Sequence, residues 1–281
     1  MKLSRVISCV CLVAATYAGG TAAAEERVGV LVLGDSVAFA YIDSAGHEYI
    51  NPENFLGFAD DLGHTLHSES ADAGCPGETT GSFLSPTAAD NGCRAFRAHF
   101  PLHVAYGGTQ LEFATKYLER HRDVRVVTIT LGANDGFLLE AGCASQPDPT
   151  ACIQAGVPAL LATVAGNMQA ILADLRATGF GGAIVITNYY SLDYSDLAAT
   201  GLTALLNGAL EAPAAAYGAV VADLFTAFNT VAASQTFGGK TCNTGLLNAS
   251  VHNQLLCDVH PSQSGHRLIA RTITRTLRAR N

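Results

Sequence analysis

Ser36 stands in Gly34-Asp35-Ser36, directly after the apolar run Val28-Gly29-Val30-Leu31-Val32-Leu33, and His260 stands in Asp258-Val259-His260-Pro261 near the other end of the chain. A serine hydroxyl is a weak nucleophile until an adjacent base takes its proton, and histidine commonly fills that role. Acyl transfer also needs donors aimed at the oxyanion of the tetrahedral intermediate. A serine at a strand-to-helix turn has its own backbone N–H free at the helix N-terminus, where negative charge is favoured. Gly77, in a tight Pro-Gly loop, can offer a second N–H, and the side-chain amide of Asn134, behind Gly132, a third. Each residue also has an ordinary explanation: Ser36 as an N-cap, Gly77 as a turn, Asn134 as a cap for the segment from Gly136. Asp35 and Asp135 read as side chains that hold loops by hydrogen bonds rather than as acids.

Regular elements must bring these residues together. Residues 27–33 are short, apolar and rich in Val and Leu, as expected of a strand buried on both faces of a parallel sheet. Asn51-Pro52-Glu53 offers a helix start, with Phe55, Phe58, Leu62 and Leu66 as its apolar stripe. The pattern predicts further helices around 111–118 and over 157–175, 202–216 and 262–278, and strands at 124–131, 183–187 and 219–222. This alternation implies one α/β domain over 25–281, a parallel sheet covered on both faces with right-handed crossovers. Active groups in such sheets gather at the carboxyl ends of the strands. Gly34-Asp35-Ser36, Gly132-Ala133-Asn134-Asp135, Asn188-Tyr189-Tyr190 and Asp223 all follow strands.

Residues 1–24 read as a secretory signal peptide: Lys2 and Arg5, a short apolar stretch, then Thr21-Ala22-Ala23-Ala24 before Glu25. A retained anchor or a lipoprotein modified at Cys11 is the alternative. No later segment reads as long and apolar enough to span a bilayer, and the expected destination is the periplasm or the medium. The formal charge is −8, and two units more negative once Lys2 and Arg5 are removed, which disfavours nucleic acid and anionic membranes as partners. Arg267, Arg271, Arg275 and Arg278 recur at helical spacing as a solvated face. A monomer is expected. Loss of Cys9 and Cys11 leaves six cysteines, for which about fifteen pairings exist. Local order favours Cys75–Cys93, Cys143–Cys152 and Cys242–Cys257, and an oxidising compartment favours their formation. Ligand spacing for zinc is missing. His47-Glu48 lacks the second histidine of a zinc protease, Gly239-Lys240-Thr241 lacks the first glycine of a phosphate loop, and Ala38 breaks a nucleophile elbow. His64, His67, His103 and His121 read as surface or helix-end histidines.

Gly34-Asp35-Ser36, Gly77, Gly132-Ala133-Asn134-Asp135 and His260-Pro261 occur in the order of the four blocks of the SGNH, or GDSL, hydrolases. The wider runs 74–80, 128–135 and 258–266 resemble secreted bacterial GDSL esterases and lipases, so the likeness covers most of the chain. The resemblance implies a flavodoxin-like three-layer α/β/α sandwich and hydrolysis of lipid or short and medium acyl esters without metal or cofactor. It implies Ser36 as nucleophile, His260 as base and then acid, and the Ser36 and Gly77 N–H groups with the Asn134 amide as oxyanion hole. The family pattern has aspartate three residues before the histidine; here that residue is Cys257, and Asp258 is two before. Either Asp258 reaches the imidazole as third catalytic residue, or the Cys257 carbonyl orients it, and the reading leans to the carbonyl. Deacetylation of a polysaccharide or acyl transfer to an alcohol would use the same residues, and a non-catalytic exported binding protein would keep only the fold.

Overall fold

The computed structural model describes residues 29–43, 45–250 and 257–280. The expected leader, with Cys11, lies outside the described residues. Five strands form one parallel sheet: β1 (Gly29–Gly34), β2 (Ser70–Asp72), β3 (Val124–Thr130), β4 (Ala183–Thr187) and β5 (Ala219–Ala222), in the order β2-β1-β3-β4-β5. That is the strand order of flavodoxin-like doubly wound folds. β1 and β4 are buried along their whole length, which explains their continuous apolar sequences. Each fully buried Leu, Val or Ile there contributes roughly 1.5–3 kcal/mol. β2 is a three-residue edge strand, and Ser70-Ala71-Asp72 carries no apolar run from which to read it.

The helices are α1 (Ser36–Phe39), α2 (Phe58–Leu66), α3 (Thr80–Leu84), α4 (Cys93–His99), α5 (Gln110–Arg120), α6 (Ala133–Cys143), α7 (Pro149–Ala177), α8 (Leu197–Glu211), α9 (Leu224–Ala232) and α10 (Gln263–Arg280). α10 packs on α2, α9, β4 and β5, whereas α7 packs on α3, α5, α6 and α8, giving two helical layers about the sheet. Arg267, Arg271, Arg275 and Arg278 lie on the exposed face of α10. The core joins Leu31 and Leu33 of β1 and Ile129 of β3 to Met168 and Ile171 of α7 and Ile269 and Ile273 of α10.

Four expectations are corrected. The helix expected from Asn51 starts at Phe58; Asn51 instead caps a 3-10 turn over Pro52–Asn54, its Oδ1 accepting from the Glu53 N–H. Phe55 leaves the helix stripe because it is buried in a second, smaller cluster with Phe39 and Tyr49. α7 begins eight residues before the expected 157, capped by Asp148, and carries Pro158 within it. It is long and apolar enough to cross a membrane, contrary to the sequence reading. Its second half uses Val164, Met168, Ile171, Leu172 and Leu175 to cover the sheet. Finally, His103 is not a surface histidine: it is half-buried, its ring tilted against that of Phe39 with centroids 4.8 Å apart, and hydrogen-bonded through Nε2 to the Phe39 carbonyl.

Candidate active site

β1 and β3 are neighbours in register, with Gly34 beside Thr130, so their carboxyl ends release Asp35-Ser36 and Ala133-Asn134 side by side. This is the topological switch point, where open parallel sheets place their ligands. Gly34 has φ +141°, and a Cβ there would fall 2.0 Å from the Thr130 carbonyl oxygen, so only glycine allows the two strand ends to approach. Asp35, rather than Ser36, is the N-cap of α1; its Oδ1 accepts from the Val37 N–H at 2.9 Å. Its other oxygen accepts the Tyr189 hydroxyl from the end of β4. Burial pushes the Asp35 carboxyl up to about 6 despite both hydrogen bonds.

With Asp35 as cap, Ser36 is the first residue of α1 and its hydroxyl is free to face the cleft. His260 Nε2 lies 3.0 Å from Ser36 Oγ. His260 Nδ1 lies 2.6 Å from Asp258 Oδ1. The lean toward the Cys257 carbonyl is therefore corrected: among the described residues the ring pairs with the Asp258 carboxylate. The two-residue spacing suffices because the His260 backbone N–H also donates to Asp258 Oδ1, at 3.3 Å, folding the aspartate onto the histidine as in an Asx-turn. Asp258 Oδ2 accepts the Asp43 N–H at 3.0 Å. Burial pushes Asp258 up, but the hydrogen bonds and charge of His260 and the Asp43 N–H outweigh it, and the carboxyl sits below its ordinary value.

Gly77 lies in the loop closed by Cys75–Cys93, at φ +87°, and a Cβ there would fall 2.3 Å from the Asn91 carbonyl oxygen. The N–H groups of Ser36 and Gly77 have no acceptor among the described residues. Asn134 Nδ2 donates one hydrogen to the Glu78 carbonyl at 3.0 Å, leaving the other for the cleft. Asn134 Oδ1 accepts from Asn91 Nδ2 at 2.9 Å, which fixes which way round the amide lies. Ser36, Gly77, Asn134 and His260 line one cleft. Asp135 holds the loop as expected, accepting from both the backbone and the hydroxyl of Thr80.

Sequence reasoning missed the supporting side chains. Asn91 orients Asn134; Glu78 accepts Ser82 and Gln110 beneath the Gly77 loop; the Tyr190 hydroxyl donates to the Val259 carbonyl at 2.6 Å; and Tyr41 packs on the His260 ring at 4.8 Å. The position of Tyr190 at a strand end was the one signal available. All three expected disulfides are present. Among the described residues, the group with metal-ligand proximity is Cys75, Glu78 and Cys93, whose two sulfurs are bonded to each other and offer no thiolate.

Fold and geometry together define a class: an α/β/α protein with a serine-histidine-carboxylate line at the carboxyl end of a parallel sheet. Residues 32–268 match the GDSL-like lipase/acylhydrolase family, and the chain belongs to it; it is a hydrolase acting on esters. No curated protein matches the chain in sequence. Among solved structures, the fold is similar to a variant acetyl xylan esterase from Geobacillus stearothermophilus (TM-score 0.54, 13% identity, 90% of this chain and 96% of that one). It is also similar to phospholipase A1 from Streptomyces albidoflavus NA297 (0.54, 17%, 89% and 99%) and an extracellular lipase from Streptomyces rimosus (0.53, 15%, 89% and 100%). At these identities the likeness is one of fold.

Proposed function

We propose that the protein is an exported serine ester hydrolase that cleaves carboxylic esters through an acyl-enzyme on Ser36. The observation that carries this reading is the unbroken line Ser36 Oγ, His260 Nε2, His260 Nδ1, Asp258 Oδ1, at 3.0 and 2.6 Å. In this reaction His260 takes the Ser36 proton as Oγ attacks the ester carbonyl. The ionised Asp258 fixes the tautomer and stabilises the imidazolium. The oxyanion is met by the Ser36 and Gly77 N–H groups and the free Asn134 amide hydrogen, each preorganised and so cheap to use in the transition state. His260 then protonates the departing alcohol, and a water activated by the same ring releases the acid.

Support for export comes from the three disulfides, which persist in oxidising compartments. The test is hydrolysis of p-nitrophenyl esters by wild type, Ser36→Ala and His260→Ala. Loss on the order of 10⁶-fold in kcat in either variant is expected; retained turnover in Ser36→Ala would contradict the proposal.

A further inference from the structure

The cleft does not end at its polar residues. It has a volume of about 780 Å³ and continues between α6, α7 and α8, where Phe137, Ile153, Leu160, Leu161, Leu202 and Leu206 form its walls. Phe137 and Leu202 are 40% and 42% exposed. Large apolar side chains left open to water beside a reactive group mark a surface that a ligand covers. Phe137 lies one helical turn beyond Asn134 on α6, so the apolar wall starts at the oxyanion side of Ser36. The departing alcohol must face His260, which packs on Tyr41. That division assigns the apolar branch to the acyl chain.

Charge narrows the choice further. The lining includes Glu140, Asp193 and Asp196, and among the described residues it holds no Lys or Arg. A phosphate needs cationic or convergent N–H donors to replace its hydration. Here the lining offers an anionic head group no cation to replace that hydration.

Resting on the ester-hydrolase reading above, we infer that the site takes uncharged esters of medium or longer acyl chains, the chain lying between α7 and α8, and discriminates against esters whose alcohol carries a phosphate. Leu202 on α8 is the specificity-determining contact nearest solvent.

Two measurements test this. The first is kcat/KM for monomeric p-nitrophenyl acetate, butyrate, hexanoate and octanoate, with the leaving group constant, on wild type, Leu202→Asp and Ser36→Ala. Each methylene should raise kcat/KM by up to about fourfold, and Leu202→Asp should lower the octanoate-to-acetate ratio about tenfold. Because Leu202 is half-exposed, its replacement leaves the core untouched. The second compares dioctanoylglycerol with dioctanoylphosphatidylglycerol in neutral detergent micelles. The glycerol ester should be cleaved at least tenfold faster. A rate that is highest on acetate and falls with length would overturn the inference, favour deacetylation, and leave the hydrolase reading standing as long as Ser36→Ala is inactive. Equal or faster cleavage of the phosphatidylglycerol would also overturn it. No turnover of any ester would overturn both readings.

Discussion

Ser36 and His260 reach one cleft by opposite means. Ser36 and Asn134 leave adjacent central strands whose register is fixed by the sheet, with Gly34 allowing their close approach. His260 sits on a loop after the last strand, in place through the Tyr190 hydroxyl on Val259, the Asp43 N–H on Asp258 and the Cys242–Cys257 bridge. The nucleophile is positioned by backbone that many core contacts over-determine. The base is positioned by a few bonds that can be deleted singly. The difference predicts that substitutions on the histidine side cost catalysis while sparing the fold, whereas changes beneath Ser36 cost both.

The largest expected effect that separates the two sides is Asp258→Asn. The ring would lose its acceptor and adopt the wrong tautomer, and kcat should fall on the order of 10⁴-fold with the melting temperature little changed. Near-full activity in that variant would return the orienting role to the Cys257 carbonyl. On the nucleophile side, Asn134→Ala should lower kcat by about 10²–10³-fold at similar KM, as expected for an oxyanion donor. Asn91→Ala should lower kcat less, because it frees the Asn134 amide to turn without removing it; steady-state kinetics on one ester would rank the pair. An Asn91→Ala effect confined to KM would count against that ordering.

The smallest effect is on stability, and it too divides the molecule. Burial raises Asp72 and Glu78, both beneath the nucleophile loops, to about 7 from ordinary values of 3.8 and 4.5. Folded-state values above unfolded ones mean that the folded protein keeps protons the unfolded chain has released. Their stabilisation is fully present below the unfolded values of 3.8 and 4.5 and is lost progressively as pH rises to the folded values of about 7. The melting temperature should therefore rise as pH is lowered from about 7.5 to about 5, and Asp72→Asn should flatten the slope. Asp258, whose value is depressed, adds nothing to the slope in that window, since its contribution is lost only as pH falls into the acid range. A slope unchanged by Asp72→Asn would contradict this account.

How much of this was legible in the sequence follows the same division. The buried strands announced themselves as apolar runs, and Ser36, Gly77 and Asn134 could be placed at or near strand ends because the sheet orders them. The edge strand Ser70–Asp72 and the start of α2 were not legible, since both depend on tertiary packing: pairing with β1 in one case, burial of Phe55 with Phe39 and Tyr49 in the other. Both partners of His260 stayed open in the sequence, with a lean to the Cys257 carbonyl because the family pattern has aspartate three residues before the histidine; the back-donated bond from the His260 N–H that lets Asp258 reach from two residues away is a property of the turn. Asn91 was invisible for a simpler reason. Nothing in a lone asparagine within a loop shows that it faces another amide 43 residues away.

The most direct test of the central claim is a fluorophosphonate probe on the folded wild-type protein, read by intact mass and peptide mapping. The account predicts a single adduct on Ser36, formed far more slowly in His260→Ala and absent in Ser36→Ala. Folded wild-type protein that stays unlabelled, or an adduct that maps to any other residue, would contradict it.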